Sequence, residues 1–175
     1  MSLARVAARA TAHATLALAF AGALQAADAA AADVVAAGGR APEIVAPTID
    51  GTSFRLSAQR GRVVVLDFLT PGCGECELAA PILERDAIRY RARGVRVVVV
   101  DLTDAPASRL RPIYRGQLGL ARVTVLRDRG RRIARAYGVL ELGTTFIVGR
   151  DGRVVWHGSW HDSSRELDAA ITATL

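Results

Sequence analysis

The sequence predicts an α/β fold in which a mixed central sheet lies between helices, with a β-hairpin in front of it. Two continuous apolar runs, Val63–Phe68 and Val95–Val100, are typical of strands buried on both faces. A segment of helical periodicity joins them, and this order forms a parallel βαβ unit. A later pair of strands around Arg150–Gly152 adds an antiparallel hairpin, so the sheet is mixed.

The first half of the chain supplies the leading hairpin and the first long helix. Ile44–Ile49 and Ser53–Leu56 flank Asp50-Gly51, a dipeptide typical of tight turns. The helical segment runs from Cys73 to about Arg93 and stops at a glycine. The hairpin therefore precedes the βαβ unit as an N-terminal extension.

Shorter elements alternate through the second half of the chain, and no internal repeat is present. They are a helix within Asp104–Gln117, a strand at Arg122–Leu126, a helix at Arg131–Tyr137, strands at Thr144–Val148 and Val154–Trp160, and a last helix capped by Ser163 or Ser164.

The N-terminal residues have the composition of an export signal. Arg5 and Arg9 provide a positive start, Leu16–Leu24 an apolar centre, and Ala27-Asp28-Ala29 a small-residue cleavage site. The apolar centre is shorter than the ~20 residues that span a bilayer, although an uncleaved anchor is the alternative.

These features predict three regions and a location. We expect a signal peptide over residues 1–29, a flexible Ala/Gly-rich tether over 30–40, and one domain over 41–175. After cleavage, no stable membrane insertion is expected. The protein is predicted to be periplasmic or otherwise exported, where disulfides persist.

The charge of the chain does not indicate a nucleic-acid-binding protein. The formal net charge is +6 at pH 7, and all 23 basic residues are arginines. They are scattered along the sequence, without the basic stripe and aromatic platforms of nucleic-acid sites. Compositional bias explains them most simply, and only weak attraction to acidic partners and anionic membrane surfaces is expected.

The only two cysteines, Cys73 and Cys76, form a Cys-x-x-Cys motif where a strand passes into a helix. A helix N-terminus lowers the pKa of a thiol, so Cys73 at the tip is the predicted nucleophile and Cys76 the resolving thiol. A structural disulfide is the first alternative, although so tight a loop removes little chain entropy. A structural metal site is the second, but further Cys or His ligands at finger spacing are missing.

Asp67 is an acid inside the otherwise apolar central strand. Burial raises the pKa of a carboxyl toward neutrality, and this suits a proton acceptor for Cys76. The alternative is that Asp67 faces a polar pocket or pairs with an arginine. Asp67 therefore joins the two cysteines as a predicted catalytic residue.

Two histidines near the end of the last strand are candidate metal ligands. His157 and His161 flank Trp160, and with the cysteines they would suit copper. A surface pair at a strand end is the simpler interpretation. We expect neither a metal nor another cofactor.

A series of short blocks in fixed order relates the chain to a known family. They are Ala41-Pro42-Glu43, Asp50-Gly51, Leu56-Ser57, Arg60–Phe68, the Cys-x-x-Cys, Ala136–Val139, Thr144–Val148 and Asp151–Val154. With these blocks the chain resembles the TlpA-like redoxins, which are exported thioredoxin-fold proteins. The resemblance implies a thioredoxin fold, cysteine-containing exported partners, a membrane or periplasmic thiol electron donor, and a buried acid at position 67.

Two departures from that family affect the expected substrate-binding residues Gly72, Gly143 and Thr144. Gly72 replaces the usual Trp before the first cysteine, and Gly143 replaces the usual cis-proline. The Leu142–Gly143 bond is expected to be trans, with a differently shaped or more mobile loop. Thr144 stands where cytochrome c maturation members carry an acid.

Two other functions are weighed against dithiol exchange. Thr70-Pro71-Gly72-Cys73 is similar to the Thr-x-x-Cys of peroxiredoxins, but Leu66 replaces their proline and their arginine is missing near Thr144. A redox-inert binding module is the other alternative. The intact cysteine pair with Asp67 argues against it.

Overall fold

A computed structural model of the chain describes residues 34–159 and 164–175. The predicted signal peptide and its cleavage site lie outside these residues, as do Trp160, His161 and Ser163. Within the described part, no helix combines the length and apolar character needed to cross a membrane.

The fold begins with the predicted hairpin. Strand β1 (Val45–Pro47) pairs antiparallel with β2 (Ser53–Arg55), and Ala46 lies opposite Phe54. The Ile49 N–H donates to the Val125 carbonyl at 3.0 Å, so the hairpin is attached to the edge of the main sheet.

The centre of the fold is a five-stranded sheet in the order β5-β4-β3-β6-β7. The strands β3, β4 and β5 run parallel, whereas β6 and β7 are antiparallel to their neighbours. This mixed sheet confirms the predicted fold class. The strand bounds are β3 Val63–Leu69, β4 Val95–Asp101, β5 Thr124–Arg127, β6 Thr144–Val148 and β7 Val154–Ser159.

Four α-helices are described, and they follow the predicted order. Their bounds are α1 Gly74–Tyr90, α2 Ala107–Arg111, α3 Arg132–Ala136 and α4 Ser164–Thr174. A six-residue π-helical turn, Pro112–Gln117, follows α2.

Two predicted boundaries need correction. The single helix expected within Asp104–Gln117 is divided, since Pro112 has no N–H to donate and its ring disfavours continuation of the α-helical pattern. Strand β5 begins at Thr124 rather than Arg122, because the Arg122 N–H donates to the Glu84 carboxylate at 2.9 Å instead of entering the ladder.

Both faces of the sheet are covered, and every residue of β3 is buried. Val65 and Leu69 pack with α1 on one face, while Phe68 packs with Tyr137 and Phe146 on the other. Since side chains alternate along a strand, position 67 faces the α1 side of the sheet. Asp67, the only acid in β3, therefore lies on the face of the sheet that α1 covers.

The segment before Ala41 is attached to the domain over its described part. The Val35 N–H donates to the Tyr137 carbonyl at 3.3 Å, and the Gly38 N–H to the Val154 carbonyl at 2.7 Å. Arg40 forms an isolated bridge with Arg153. The described end of the predicted tether therefore makes backbone contacts with the domain.

Candidate dithiol active site

The dithiol lies in the connection between β3 and α1, at the carboxyl end of the central strand. Cys73 is the N-cap of α1, and its sulfur accepts the Cys76 N–H at 3.2 Å. The Glu77 N–H donates to the Cys73 carbonyl at 3.0 Å and closes the first turn. The Cys73 sulfur consequently faces the positive end of the helix dipole, which favours a thiolate.

The two sulfurs are joined in a disulfide. The Cα atoms of Cys73 and Cys76 are 5.1 Å apart, within the range that a disulfide needs. Cys73 is half-buried, whereas only 1% of Cys76 is exposed. A partner sulfur has access to Cys73 and not to Cys76, which is the asymmetry that the assigned roles require.

Asp67 is fully buried and holds a hydrogen bond from the neighbouring strand. Its Oδ2 accepts the Thr145 hydroxyl at 2.7 Å, and the two residues lie opposite each other in the β3–β6 register. Thr145 thus gives the Asp67 carboxylate a polar neighbour, and the role of Asp67 as proton acceptor for Cys76 stays a prediction.

A second buried acid on this face was not predicted from the sequence. Asp101 ends β4 opposite Leu69, and its Oδ2 accepts the Tyr114 hydroxyl at 2.6 Å. Burial raises the pKa of Asp101, against its hydrogen bonds from Thr103 and Tyr114. The pKa of Tyr114 is raised, mainly by burial and next by the charge of Asp101. The charge of Asp67 adds to this effect. The hydroxyl therefore stays protonated and donates to Asp101.

The loop that replaces the family's cis-proline loop is held by its own backbone. The Gly143 N–H donates to the Phe68 carbonyl at 2.7 Å, and Gly143 has φ +78°. A proline there has neither the N–H nor access to this φ. The Leu142–Gly143 bond is trans, since the described residues contain no cis peptide bond.

The fold brings the predicted substrate-binding residues Gly143 and Thr144 to the end of β3. Thr144 lies opposite Phe68, and its hydroxyl donates to the Glu141 carbonyl at 2.8 Å within its own loop. Gly72 is exposed, immediately before Cys73, with φ +81°. A tryptophan at position 72 would be strained in that conformation.

A groove of about 510 Å³ adjoins the dithiol turn. Gly72 and Glu77 line one side, and Arg109 and Ile113 line the other. The groove combines one acidic, one basic and several apolar side chains.

A metal centre has no support within residues 34–159 and 164–175, where no three potential His, Cys, Asp or Glu ligands cluster. His157 packs near the Phe146 ring, with 5.8 Å between ring centroids. His161, the other candidate copper ligand, lies outside the described residues. The structure therefore does not describe the proposed set of copper ligands.

A family model described as the AhpC/TSA family matches residues 37–157. The match includes β1 to most of β7 and the whole dithiol turn. No curated protein matches the sequence.

Solved structures with this fold include several thiol-disulfide proteins. A Chlorobium tepidum protein described as a candidate thiol:disulfide interchange protein DsbE is 29% identical, with 80% of this chain and 98% of that chain covered and a TM-score of 0.72. DsbF of Mycobacterium tuberculosis is 26% identical, with coverage of 75% and 95% and a TM-score of 0.65. A secreted M. tuberculosis disulfide oxidoreductase, homologous to Escherichia coli DsbE, is 25% identical, with coverage of 74% and 95% and a TM-score of 0.63.

Proposed function

This chain belongs to the AhpC/TSA family, and we propose that it is an exported thiol-disulfide oxidoreductase that exchanges a Cys73/Cys76 dithiol with protein partners. The observation that carries this proposal is the asymmetric pair at the start of α1, with one accessible sulfur and one buried sulfur within bonding distance. The similarity to DsbE-like and secreted oxidoreductase structures supports it. So does the predicted signal peptide over residues 1–29.

The first step forms a mixed disulfide. The Cys73 thiolate attacks one sulfur of a partner disulfide, and the other partner sulfur leaves as a thiolate. The helix N-terminus and the Cys76 N–H stabilise the attacking sulfur. The groove beside Gly72 and the loop at Gly143–Thr144 are the surfaces proposed to hold the partner chain around its cysteine.

The second step releases the partner. Asp67 takes the proton of Cys76, whose thiolate attacks the Cys73 sulfur and displaces the second partner sulfur. The partner has gained two electrons and two protons overall, one proton from Asp67 and one from the solvent, because Cys73 entered the first step as a thiolate. The Cys73–Cys76 pair is left oxidised. A membrane or periplasmic thiol donor is proposed to reduce the pair again. Run backward, the same steps oxidise a partner, so the relative reduction potentials set the direction.

Reduction of insulin disulfides tests this function against peroxidase activity. We expect the protein to accelerate insulin reduction by a thiol donor and to consume hydrogen peroxide no faster than the donor alone. The Cys73→Ser protein is the matched control, and it should lose the insulin activity. Rapid peroxide consumption without insulin reduction would instead assign the Thr70–Cys73 segment to a peroxidase.

Replacing Asp67 with asparagine tests the proton acceptor. We expect the release of a preformed Cys73 mixed disulfide to slow about 100-fold at neutral pH, the lower range for general base catalysis. The difference in release rate between the variant and the unmodified protein should narrow as the pH approaches the ordinary thiol pKa of about 8.5, since Cys76 then ionises without Asp67. Stopped-flow measurement across pH records both effects.

The control for that variant is Asp86→Asn, which removes another buried acid. Asp86 lies in α1 ten residues beyond Cys76, about 15 Å along the helix. Its loss should leave the release rate and its pH profile unchanged. Equal slowing in both variants would mean that buried charge in general, and not Asp67, controls release.

A further inference from the structure

An open notch lies at the end of the sheet opposite the dithiol. Strand β4 begins at Val95, but its pairing with β5 begins only at Val98 opposite Thr124. Helix α1 spans about 25 Å from the dithiol to this end. The end of α1, the start of β4 and the segment before β5 together enclose a cavity of about 600 Å³.

The fold gathers arginines around this notch from four separate segments. Arg62 precedes β3, Arg91 follows α1, Arg96 lies in β4 and Arg122 precedes β5. No acidic residue lines the cavity. Among the described ion pairs, none involves any of these four guanidinium groups. We call this feature the arginine cavity.

Glu84 contacts the cavity segment through the backbone and not through a guanidinium group. Glu84 accepts the backbone N–H of Arg122 with both carboxylate oxygens at 2.9 Å. That contact fixes the chain before β5 and leaves the guanidinium group of the exposed Arg122 for other ligands. The contact also helps to keep β5 from pairing further along β4, which keeps the notch open.

Arg96 is held rigidly at the wall of the cavity. Its Nε donates to the Thr124 hydroxyl at 3.2 Å, and a terminal nitrogen donates to Gln59 Oε1 at 3.1 Å. Its guanidinium carbon lies 5.7 Å from the centre of the Phe54 ring. The pKa of Arg96 is lowered, mainly by burial and next by the charge of Arg62. An anion between Arg62 and Arg96 would offset this repulsion.

We propose that the arginine cavity binds a multiply charged, phosphate-bearing anion. Guanidinium groups bind phosphate oxygens through paired hydrogen bonds, and several of them converging favour a ligand with several negative charges. The volume lies in the range of small-molecule sites. Residues Val95–Val97 pair with β3 but lie outside the β4–β5 ladder, which begins at Val98, so the cavity is open along this part of the sheet edge. Such a group is present in a soluble polyphosphate and in a phospholipid headgroup.

Calorimetric titration with sodium tripolyphosphate tests the proposal on the whole protein. We expect saturable binding at one site per chain, which weakens as salt is added. Arg91→Gln and Arg122→Gln remove exposed side chains and should each weaken binding about tenfold. Arg96→Gln should weaken it further, although this variant also removes contacts of the folded chain.

Arg135→Gln is the matched control, because it removes the same charge from an exposed position in α3 that does not line the cavity. Its affinity should equal that of the unmodified protein. Equal weakening by Arg135→Gln would overturn the proposal, since net charge alone would then explain binding. Absence of saturable binding to tripolyphosphate and to vesicles would overturn it as well.

Sedimentation with vesicles identifies the source of the phosphate group. Vesicles of phosphatidylcholine are compared with vesicles that also contain phosphatidylglycerol. Capture by the anionic vesicles that is lost in Arg91→Gln and Arg122→Gln but kept in Arg135→Gln assigns a lipid headgroup. Tripolyphosphate binding without such capture assigns a soluble ligand. Either result supports a phosphate site at the arginine cavity.

Discussion

Replacing Cys76 with serine is expected to stop turnover and to leave partners covalently attached to Cys73. The first sulfur remains accessible at the helix N-terminus, so mixed disulfides still form. The serine hydroxyl does not displace the partner sulfur, so release then depends on external thiols. Insulin reduction should fall to the rate of the thiol donor alone.

Oxidised glutathione measures the trapping directly. A stable adduct on the Cys76→Ser protein, seen by mass spectrometry and removed by dithiothreitol, is the expected product. The Cys73→Ser protein retains only the buried thiol and should form little adduct while folded. A stable adduct on Cys76 instead of Cys73 would reverse the two roles.

The same trap applied in cells identifies partners. Complexes recovered from cells that express the Cys76→Ser protein should disappear when both cysteines are replaced. Cysteine-containing exported proteins among them would support the proposed location. Complexes confined to cytosolic proteins would contradict it, while leaving the dithiol chemistry itself intact.

The centre of the fold could be predicted because its signals are local and strong. The runs at Val63–Phe68 and Val95–Val100 are too continuously apolar for exposed strands, and the structure places both in the middle of the sheet. The position of Cys73 at the start of α1 follows from that placement, because the helix begins after the central strand ends. Strand, helix and motif were thus predictable from adjacent residues alone.

Contacts that depend on distant parts of the chain could not be predicted in this way. The Asp67–Thr145 hydrogen bond requires the antiparallel register of β6 against β3. The Asp101–Tyr114 bond joins the end of β4 to the helical turn that begins at Pro112. An acid at the end of a buried strand was the available signal for Asp101.

The surface arginines are a second case in which the arrangement could not be predicted from the sequence. Along the sequence they are scattered and form no continuous basic stripe. Arg62, Arg91, Arg96 and Arg122 converge only because β5 starts late beside β4 and α1 ends above the same corner. Spacing in the sequence therefore carries no information about this cavity.

Replacing Gly143 with proline is expected to destabilise the protein rather than to restore the family's loop. The proline ring fixes φ near −65°, whereas position 143 has φ +78°. The substitution also deletes the N–H that donates to Phe68 at 2.7 Å. Since an ill-placed proline costs about 3 kcal/mol or more, the free energy of unfolding should fall by at least that amount.

Gly143→Ala separates the two causes, because alanine keeps the N–H and changes only the backbone preference. It should cost about 1–2 kcal/mol, the usual penalty for the left-handed conformation. Urea unfolding of both variants at equal protein concentration gives the comparison, and insulin reduction reports on the site. A proline variant as stable as the unmodified protein, with faster insulin reduction, would contradict the expected result. It would mean that the loop can adopt the cis-proline conformation, and that Gly143 limits partner docking rather than holding the loop to β3.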